Sequence, residues 1–335
     1  MPWSGAARSS WRAFGREFGE SAAGWKHTGV PTARKRSTKA NRTARVSKRR
    51  SSPSDNDTDA QVDAKPLPPT WWTSADRRAR LFQGDSVALL DRFEAESFDV
   101  IFADPPYFLS NGGTTCQSGK RVSVNKGKWD ASLGAEDNHD FNRRWLAACQ
   151  RVLRPNGTIW VSGTSHVIFS VGFAMQQLGF KLLNQVTWEK PNPPPNLACR
   201  YFTHSTETVL WAGRDRKSKH HFAYPEMKQR NGGKQMKDVW RFPAPPKREK
   251  GHGKHPTQKP LALLDRLLVA SCPGGGAVLD PFNGSGTTGV AALALGLDYT
   301  GIEREDEYLQ LSRDRMQEVL DDEDRSCPAL AAIAG

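Results

Sequence analysis

"VLDPFNGSGTTG", Val278 to Gly289, decides the fold. An apolar run ends on an acid, crosses a glycine-bearing turn and passes at once into helix-forming residues. Asn283-Gly284-Ser285-Gly286 permits a tight turn and close backbone approach to a ligand. Strand, glycine turn and helix in immediate succession open an α/β nucleotide-binding unit. Gly284, Gly286 and Gly289 fit G-x-G-x-x-G, and the lysine of a phosphate loop is absent, so the turn alone leaves nucleotide binding open. The acid before the turn, Asp280, suits a cationic ligand better than a pyrophosphate; a sulfonium cofactor with an amino group is such a ligand. The next strand ends in "GIERED", where Glu303 is placed to accept both hydroxyls of a ribose.

Outward from this turn the chain alternates short apolar runs with helical ones. "RLFQGD", "FDVIFADPP", "GTIWVSG", "KLLNQVTWEK", "TETVLWAGR", "AVLDPF" and "DYTGIER" read as strands. "HDFNRRWLAACQRVLRP", closed by Pro155, reads as an amphipathic helix, as do four other long segments. The alternation predicts an α/β fold, a Rossmann-like and mostly parallel sheet with helices on both faces. "KLLNQVTWEK" and "TETVLWAGR" are neighbours in the chain and are expected to pair antiparallel at the sheet edge.

A second strand, "VIFADPPY" (Val100 to Tyr107), ends on Asp104-Pro105-Pro106-Tyr107. Proline cannot donate to a sheet ladder, so the strand stops there, at the end where open α/β sheets bind ligands. The carboxylate of Asp104 and the fixed carbonyl of Pro105 can accept the two N–H bonds of an exocyclic amino group on a planar base. The prolines keep these acceptors aimed, and Tyr107 offers an aromatic face to a base that has left its duplex. "NPPPN" (Asn192 to Asn196) follows another strand and reads as a rigid loop near the base pocket.

Charge divides the 335 residues unevenly. Residues 1–50 hold 13 Lys/Arg against 2 Asp/Glu, a net +11, while the remainder holds 35 against 34. Within that remainder, residues 214–254 hold 13 against 4, a net +9. Two basic regions on an otherwise balanced body point to a polyanion partner. Residues 1–65 are polar, first basic and then Ser/Asp/Pro-rich, and are expected to form a disordered tail and linker. No apolar run approaches the ~18 residues of a membrane span, and the N-terminus lacks the apolar centre of a secretory signal. The five cysteines are scattered without a C-x-x-C pair, so no zinc site or other metal is expected, and a cytoplasmic setting fits. Trp71 and Trp72 are expected to pack at the domain edge. Trp129 is expected to clasp DNA or cover a cofactor, and His220, His221 and His252 to meet phosphate or solvent.

"ADPPY" followed by "DPFNGSGTTG", with a basic segment between and "GKHPTQKP" (Gly253 to Pro260) before the second motif, resembles the β class of S-adenosylmethionine-dependent DNA amino-methyltransferases. The resemblance covers roughly 80–320. "DPPYFLSNGG", "YFTHSTE" and "GGKQMKDVW" resemble in particular the GATC-reading adenine methyltransferases of restriction systems. It implies a circularly permuted methyltransferase fold, with a catalytic half over 66–213, a target-recognition insert over 214–254 and a cofactor half over 255–325. Asp104, Pro105, Pro106 and Tyr107 would be catalytic. Asp85, Asp280, Phe282, Asn283, Gly284, Ser285, Gly286, Thr287 and Glu303 would bind S-adenosylmethionine, with His255, Thr257, Gln258 and Lys259 at its methionine end. Arg230, Asn231, Lys234, Gln235 and Lys237 would contact DNA. Adenine N6 is the implied target, because the cytosine N4 enzymes that form the alternative more often carry Ser in place of Asp104. A catalytically silent DNA-binding protein is the alternative from another class. A homodimer and a paired restriction endonuclease are partners compatible with such systems.

A tail that carries charge without structure can hold phosphate but cannot read bases. Deleting 1–65 should therefore leave methylation specificity intact while flattening the salt dependence of DNA binding. Mapping the modified sites of the truncated chain tests this, and a changed target sequence would make the tail part of the reader.

Overall fold

A computed structural model describes residues 66–110, 114–117, 120–123 and 130–326. The expected N-terminal tail and Trp129 lie outside these residues. In chain order the first half comprises β1 (Trp72–Thr73), β2 (Ala79–Gln83), α1 (Ser86–Leu90), β3 (Phe98–Ala103), β4 (Thr114–Gln117), β5 (Lys120–Ser123), α2 (Ala135–Val152), β6 (Leu153–Gly163), α3 (Ile168–Gln177), β7 (Lys181–Glu189) and β8 (Thr206–Gly213). Then come α4 (Tyr224–Arg230), β9 (Val239–Arg241), α5 (Leu261–Ser271), β10 (Ala277–Asp280), α6 (Thr287–Ala294), β11 (Asp298–Glu303) and α7 (Asp306–Ser326).

Nine strands form one sheet in the order β1-β2-β11-β10-β3-β6-β8-β7-β9, and β4 and β5 form a separate hairpin. The five central strands, β2, β11, β10, β3 and β6, run parallel, as the alternating sequence predicts. Both faces are covered. Val100 and Phe102 of β3, with Val278 of β10, pack into one core alongside Leu263, Leu267 and Met316 from α5 and α7. Ile101, Ala103 and Leu279 pack into a second core with Leu90 of α1, Trp145 of α2 and Met175 of α3. Alternation of apolar residues in and apolar residues out is what a central parallel strand requires. It explains why "VIF" and "AVL" carry no polar position.

The sheet joins strands from opposite ends of the chain. β3 and β10 are hydrogen-bonded neighbours, Val100 opposite Val278, although the basic segment separates them in sequence. Strand order reverses at this seam, the place where open α/β sheets leave a crevice beyond their carboxyl ends.

Two sequence expectations are corrected. Helix α2 ends at Val152, before Pro155, and Leu153 already belongs to β6. The residue before a proline is pushed out of the α region, so the chain turns extended earlier than the apolar period suggests. Strands β7 and β8 do pair antiparallel, but they are not the sheet edge, because β9 adds in parallel outside β7. The basic segment is built into the sheet and its core. It supplies α4, β9 and a 3-10 turn over Lys247–Lys250, and its Trp240 and Phe242 are buried in the first core. Trp160 of β6 stacks on its register partner Trp211 of β8 with ring centroids 4.6 Å apart, and Trp240 tilts onto Trp160 at 6.2 Å. Trp188 Nε1 donates to the Phe242 carbonyl at 2.8 Å, and the Arg266 guanidinium covers the Phe242 ring at 4.4 Å. Trp72 pairs Leu81 at the opposite edge, and Trp71 Nε1 donates to Asp306 Oδ1 at 3.0 Å, as expected of edge residues.

Because Trp240 belongs to the core, Trp240→Ala should destabilise the whole domain by about 3–5 kcal/mol. Denaturant unfolding followed by two probes checks it. A segment that merely rides on the surface would leave the midpoint where it was.

Candidate active site

The carboxyl ends of β2, β3, β10 and β11 carry Asp85, Asp104, Asp280 and Glu303, and all four line one cavity of about 900 Å³. Pro105, Pro106, Tyr107, His255, Thr257, Gln258, Lys259, Phe282, Asn283, Gly284, Ser285 and Thr287 line it too. Arg230, Asn231, Lys234, Gln235 and Lys237 do not, nor does "NPPPN". The fold has therefore brought together the residues of the two motifs and of "GKHPTQKP".

At the Asp104-Pro105-Pro106-Tyr107 turn the half-buried Asp104 is held from both sides. Its Oδ1 accepts from the Tyr107 hydroxyl at 2.7 Å and from the Ser162 hydroxyl at 2.5 Å. Its Oδ2 is ion-paired with the Lys259 ammonium. Lys259 also lies 3.8 Å from Glu207 Oε2, and Glu207 is in turn paired with Lys190. Burial pushes the Asp104 carboxyl up, but the charge and hydrogen bond of Lys259, with the two hydroxyls, hold it below the usual carboxylate range. Tyr107 is 6% exposed, so little of its ring is open for the stacking expected of it. Its hydroxyl instead fixes Asp104 and lies 3.3 Å from Ser162 Oγ and from Glu207 Oε2.

The turn itself is anchored by Asp130. This fully buried carboxylate accepts from the backbone N–H groups of Tyr107 (2.9 Å), Phe108 (2.8 Å) and Leu109 (3.2 Å), and from the Ser110 hydroxyl (2.9 Å). Phe108 adopts a left-handed φ of 57°, which lets successive N–H groups converge on one anion. Proline stiffness is thus supplemented by a nest that fixes the backbone directly after Pro106.

At the glycine turn the two glycines have different reasons to be glycine. A Cβ on Gly284 would meet the His255 ring at 3.2 Å, on the cavity side. A Cβ on Gly286 would meet Ser312 Oγ of α7 at 2.0 Å, and Gly286 does not line the cavity. Gly286 thus lets α7 approach the turn, where the sequence pattern suggested ligand approach. Asn283 likewise faces inward: its Oδ1 accepts from Tyr299 OH at 2.7 Å and its Nδ2 donates to Ser312 Oγ at 3.0 Å. Arg315, buried on α7, donates to the Ser285 carbonyl at 2.5 Å and to Thr287 Oγ1 at 3.0 Å. Phe282 sets its ring edge-on to Trp145 at 5.4 Å.

Glu303 is oriented by three backbone N–H groups, from Gly284 (2.8 Å), Arg304 (2.7 Å) and Glu305 (3.0 Å). Asp280 accepts from the Thr288 hydroxyl at 2.6 Å and from Phe282 N at 3.0 Å, yet burial, with Asp104 and Glu303 nearby, pushes its carboxyl up to about 7. An acid so placed gains from a cation. Gln258 donates Nε2 to the Glu249 carbonyl at 2.8 Å, while its buried Oε1 has no donor among the described residues. An orphaned acceptor and two desolvated acids fit a ligand that carries amino groups, hydroxyls and positive charge. Asp85 has further duties, capping α1 through Ala88 N at 3.1 Å and pairing with Arg304 at 2.6 Å. His255 stands edge-on to Tyr308 at 4.3 Å, and its Nδ1 lies 3.3 Å from Thr257 N.

The residues expected to touch DNA divide. Arg230 is bound to Glu226 at 2.8 Å and to Asp265 at 2.5 Å, and Asn231 Nδ2 donates to the Lys234 and Gln235 carbonyls. Lys234, Gln235 and Lys237 have exposed side chains. His252 pairs with Glu318 at 2.9 Å, and His220 sets its ring edge-on to Trp211 at 5.1 Å.

The family model described as DNA methylase, for N6 and N4 amino-methyltransferases, matches residues 98–314. The chain belongs to this DNA methylase family. The methylase is 56% identical over 239 residues to Type II methyltransferase M2.LlaDCHI of Lactococcus lactis subsp. cremoris, a match spanning 71% of this chain and 89% of that relative. It is 54% identical over 238 residues to Type II methyltransferase M2.DpnII of Streptococcus pneumoniae, again across 71% and 89% of the two chains. Among solved structures it resembles M1.HpyAVI in complex with SAM, at 27% identity and a TM-score of 0.55, over 71% of this chain and 98% of that one.

Sequence reasoning on the methylase passed over Asp130, Ser162, Glu207, Ser312 and Arg315. Ser162 and Glu207 alone had a signal, since "WVSG" ends a strand and Glu207 closes the quoted "YFTHSTE". Because a displacement of about 1 Å at a reacting group can cost ~100-fold in rate, Asp130→Ala should lower the single-turnover rate by about that factor. Cofactor affinity, measured by calorimetry, should hold. An unchanged rate would mean the turn keeps its shape without its anion.

Proposed function

We propose that this methylase transfers a methyl group from S-adenosylmethionine to N6 of a flipped-out adenine in GATC, as the modifying half of a restriction-modification system. The observation that carries the chemistry is the Asp104 carboxylate, held by Tyr107, Ser162 and Lys259 at the carboxyl end of β3, with Pro105 beside it, in the same cavity as Asp280, Glu303 and Gln258.

S-adenosylmethionine, when bound, supplies an electrophilic methyl group on a sulfonium. Glu303 would take its ribose hydroxyls, and Asp280 and Gln258 Oε1 would face its cationic and amino groups. The Asp104 carboxylate and the Pro105 carbonyl accept the two amino N–H bonds of the base and aim its nitrogen. The Asp104 carboxylate is held in place by its protein partners, so it stabilises the positive charge on nitrogen without reorganising. Such acceptors are usually worth on the order of 3–4 kcal/mol each. No cysteine is needed as a nucleophile, and Cys149 and Cys272 are buried. A base reaches such a recessed cavity only after leaving its stack. Of the five residues expected to contact DNA, the exposed Lys234, Gln235 and Lys237, on the turn between α4 and β9, have side chains available to a duplex.

The GATC target rests on the likeness of "YFTHSTE" and "GGKQMKDVW" to enzymes reading that sequence. Expression in a host without DNA methylation, followed by sequencing that detects modified bases, tests it. N6-methyladenine should appear at GATC. Modified adenine at another sequence would overturn the target and keep the chemistry, whereas modified cytosine would overturn the choice of base.

A further inference from the structure

Lys259 was expected at the methionine end of the cofactor, but its surroundings assign it elsewhere. It is 6% exposed and sits among three carboxylates: paired with Asp104, 3.8 Å from Glu207 Oε2, and within electrostatic reach of Asp280. Burial would lower its affinity for a proton, and the attraction of Asp104 and Glu207 more than restores it.

A carboxylate oxygen offers two lone-pair directions. On Asp104, Oδ1 already receives two donors, the Tyr107 and Ser162 hydroxyls. Oδ2 receives only Lys259 among the described residues. One acceptor direction therefore remains, and it lies on the oxygen that the ammonium holds.

We propose that Lys259 is a positioning residue for the catalytic carboxylate and not a cofactor ligand: it fixes Asp104 so that the free direction of Oδ2 receives an amino N–H of the target base. This rests on the amino-methylation reading above. The physical need is plain. Asp104, Glu207 and Asp280 crowd one desolvated region, and without a cation between them the carboxyls would take up protons, as Asp280 already tends to. A protonated Asp104 would offer a hydrogen where the amino group needs an acceptor. The ionisable groups that face Asp104 are Lys259, Tyr107 and Glu207, with Asp280 beyond them.

The test compares wild type, Lys259→Met and Glu207→Gln as full chains on one duplex. It measures S-adenosylmethionine affinity by calorimetry and single-turnover methylation across pH. Lys259→Met should leave cofactor affinity within about threefold, slow transfer, and move the acid limb of the rate profile upward by about 1–3 pH units, because an unpaired buried carboxyl ionises later. Glu207→Gln should move the same limb downward, because it removes a negative charge facing Asp104. If Lys259→Met does not fold, the downward shift in Glu207→Gln still supports the assignment, and an unmoved limb there overturns it. Cofactor affinity that falls in Lys259→Met as far as the rate does, with the limb unmoved, would make Lys259 a cofactor ligand. A wild type that transfers no methyl group overturns the functional reading and this inference together; an active wild type with both limbs unmoved overturns this inference alone.

Discussion

The ion pair between Lys259 and Asp104 is the interaction on which the site depends. It joins residues 155 apart in sequence and closes the seam between the two halves of the chain. Its partners come from the turn after β3 and from the segment leading into α5, and the backbones of β3 and β10 are paired beneath it. Buried charges are costly to desolvate and are retained where geometry and further hydrogen bonds satisfy them. The Tyr107 and Ser162 hydroxyls donate those bonds to Asp104, and Glu207 Oε2 stands 3.8 Å from the Lys259 ammonium. The carboxylate proposed to receive the target amino group is thereby held by both halves of the chain.

Two buried anchors do for the turns what this pair does for the reacting carboxylate. Asp130 gathers three backbone N–H groups and a hydroxyl around the catalytic turn. Arg315 and Ser312 of α7 grip the glycine turn from behind. Both convert short loops, otherwise free to shift, into fixed acceptors, and that preorganisation supplies electrostatic catalysis.

Much of this was legible in the sequence because local chemistry dictated it. "VLDPFNGSGTTG" could only be strand, turn and helix, and "VIFADPPY" could only end a strand. The unbroken apolar runs before them marked central strands covered on both sides. What stayed hidden was partnership across distance. Nothing local in "GKHPTQKP" says that Lys259 meets Asp104. Gly286 has the spacing of a ligand-approach glycine and is in fact a helix-approach glycine, because only the third dimension shows Ser312 behind it. Trp240 and Phe242 lie in a basic stretch whose charge masked a sheet strand, since three residues are too few to show a period.

The most direct test of the account follows the methyl group. The full chain and its Asp104→Ala variant are incubated with S-adenosylmethionine labelled in the methyl group and a GATC-containing duplex, and the DNA is digested to nucleosides. The account predicts label in N6-methyldeoxyadenosine from the wild type and essentially none from the variant, which still binds the cofactor. Label in N4-methyldeoxycytidine, or undiminished labelling by Asp104→Ala, would contradict it.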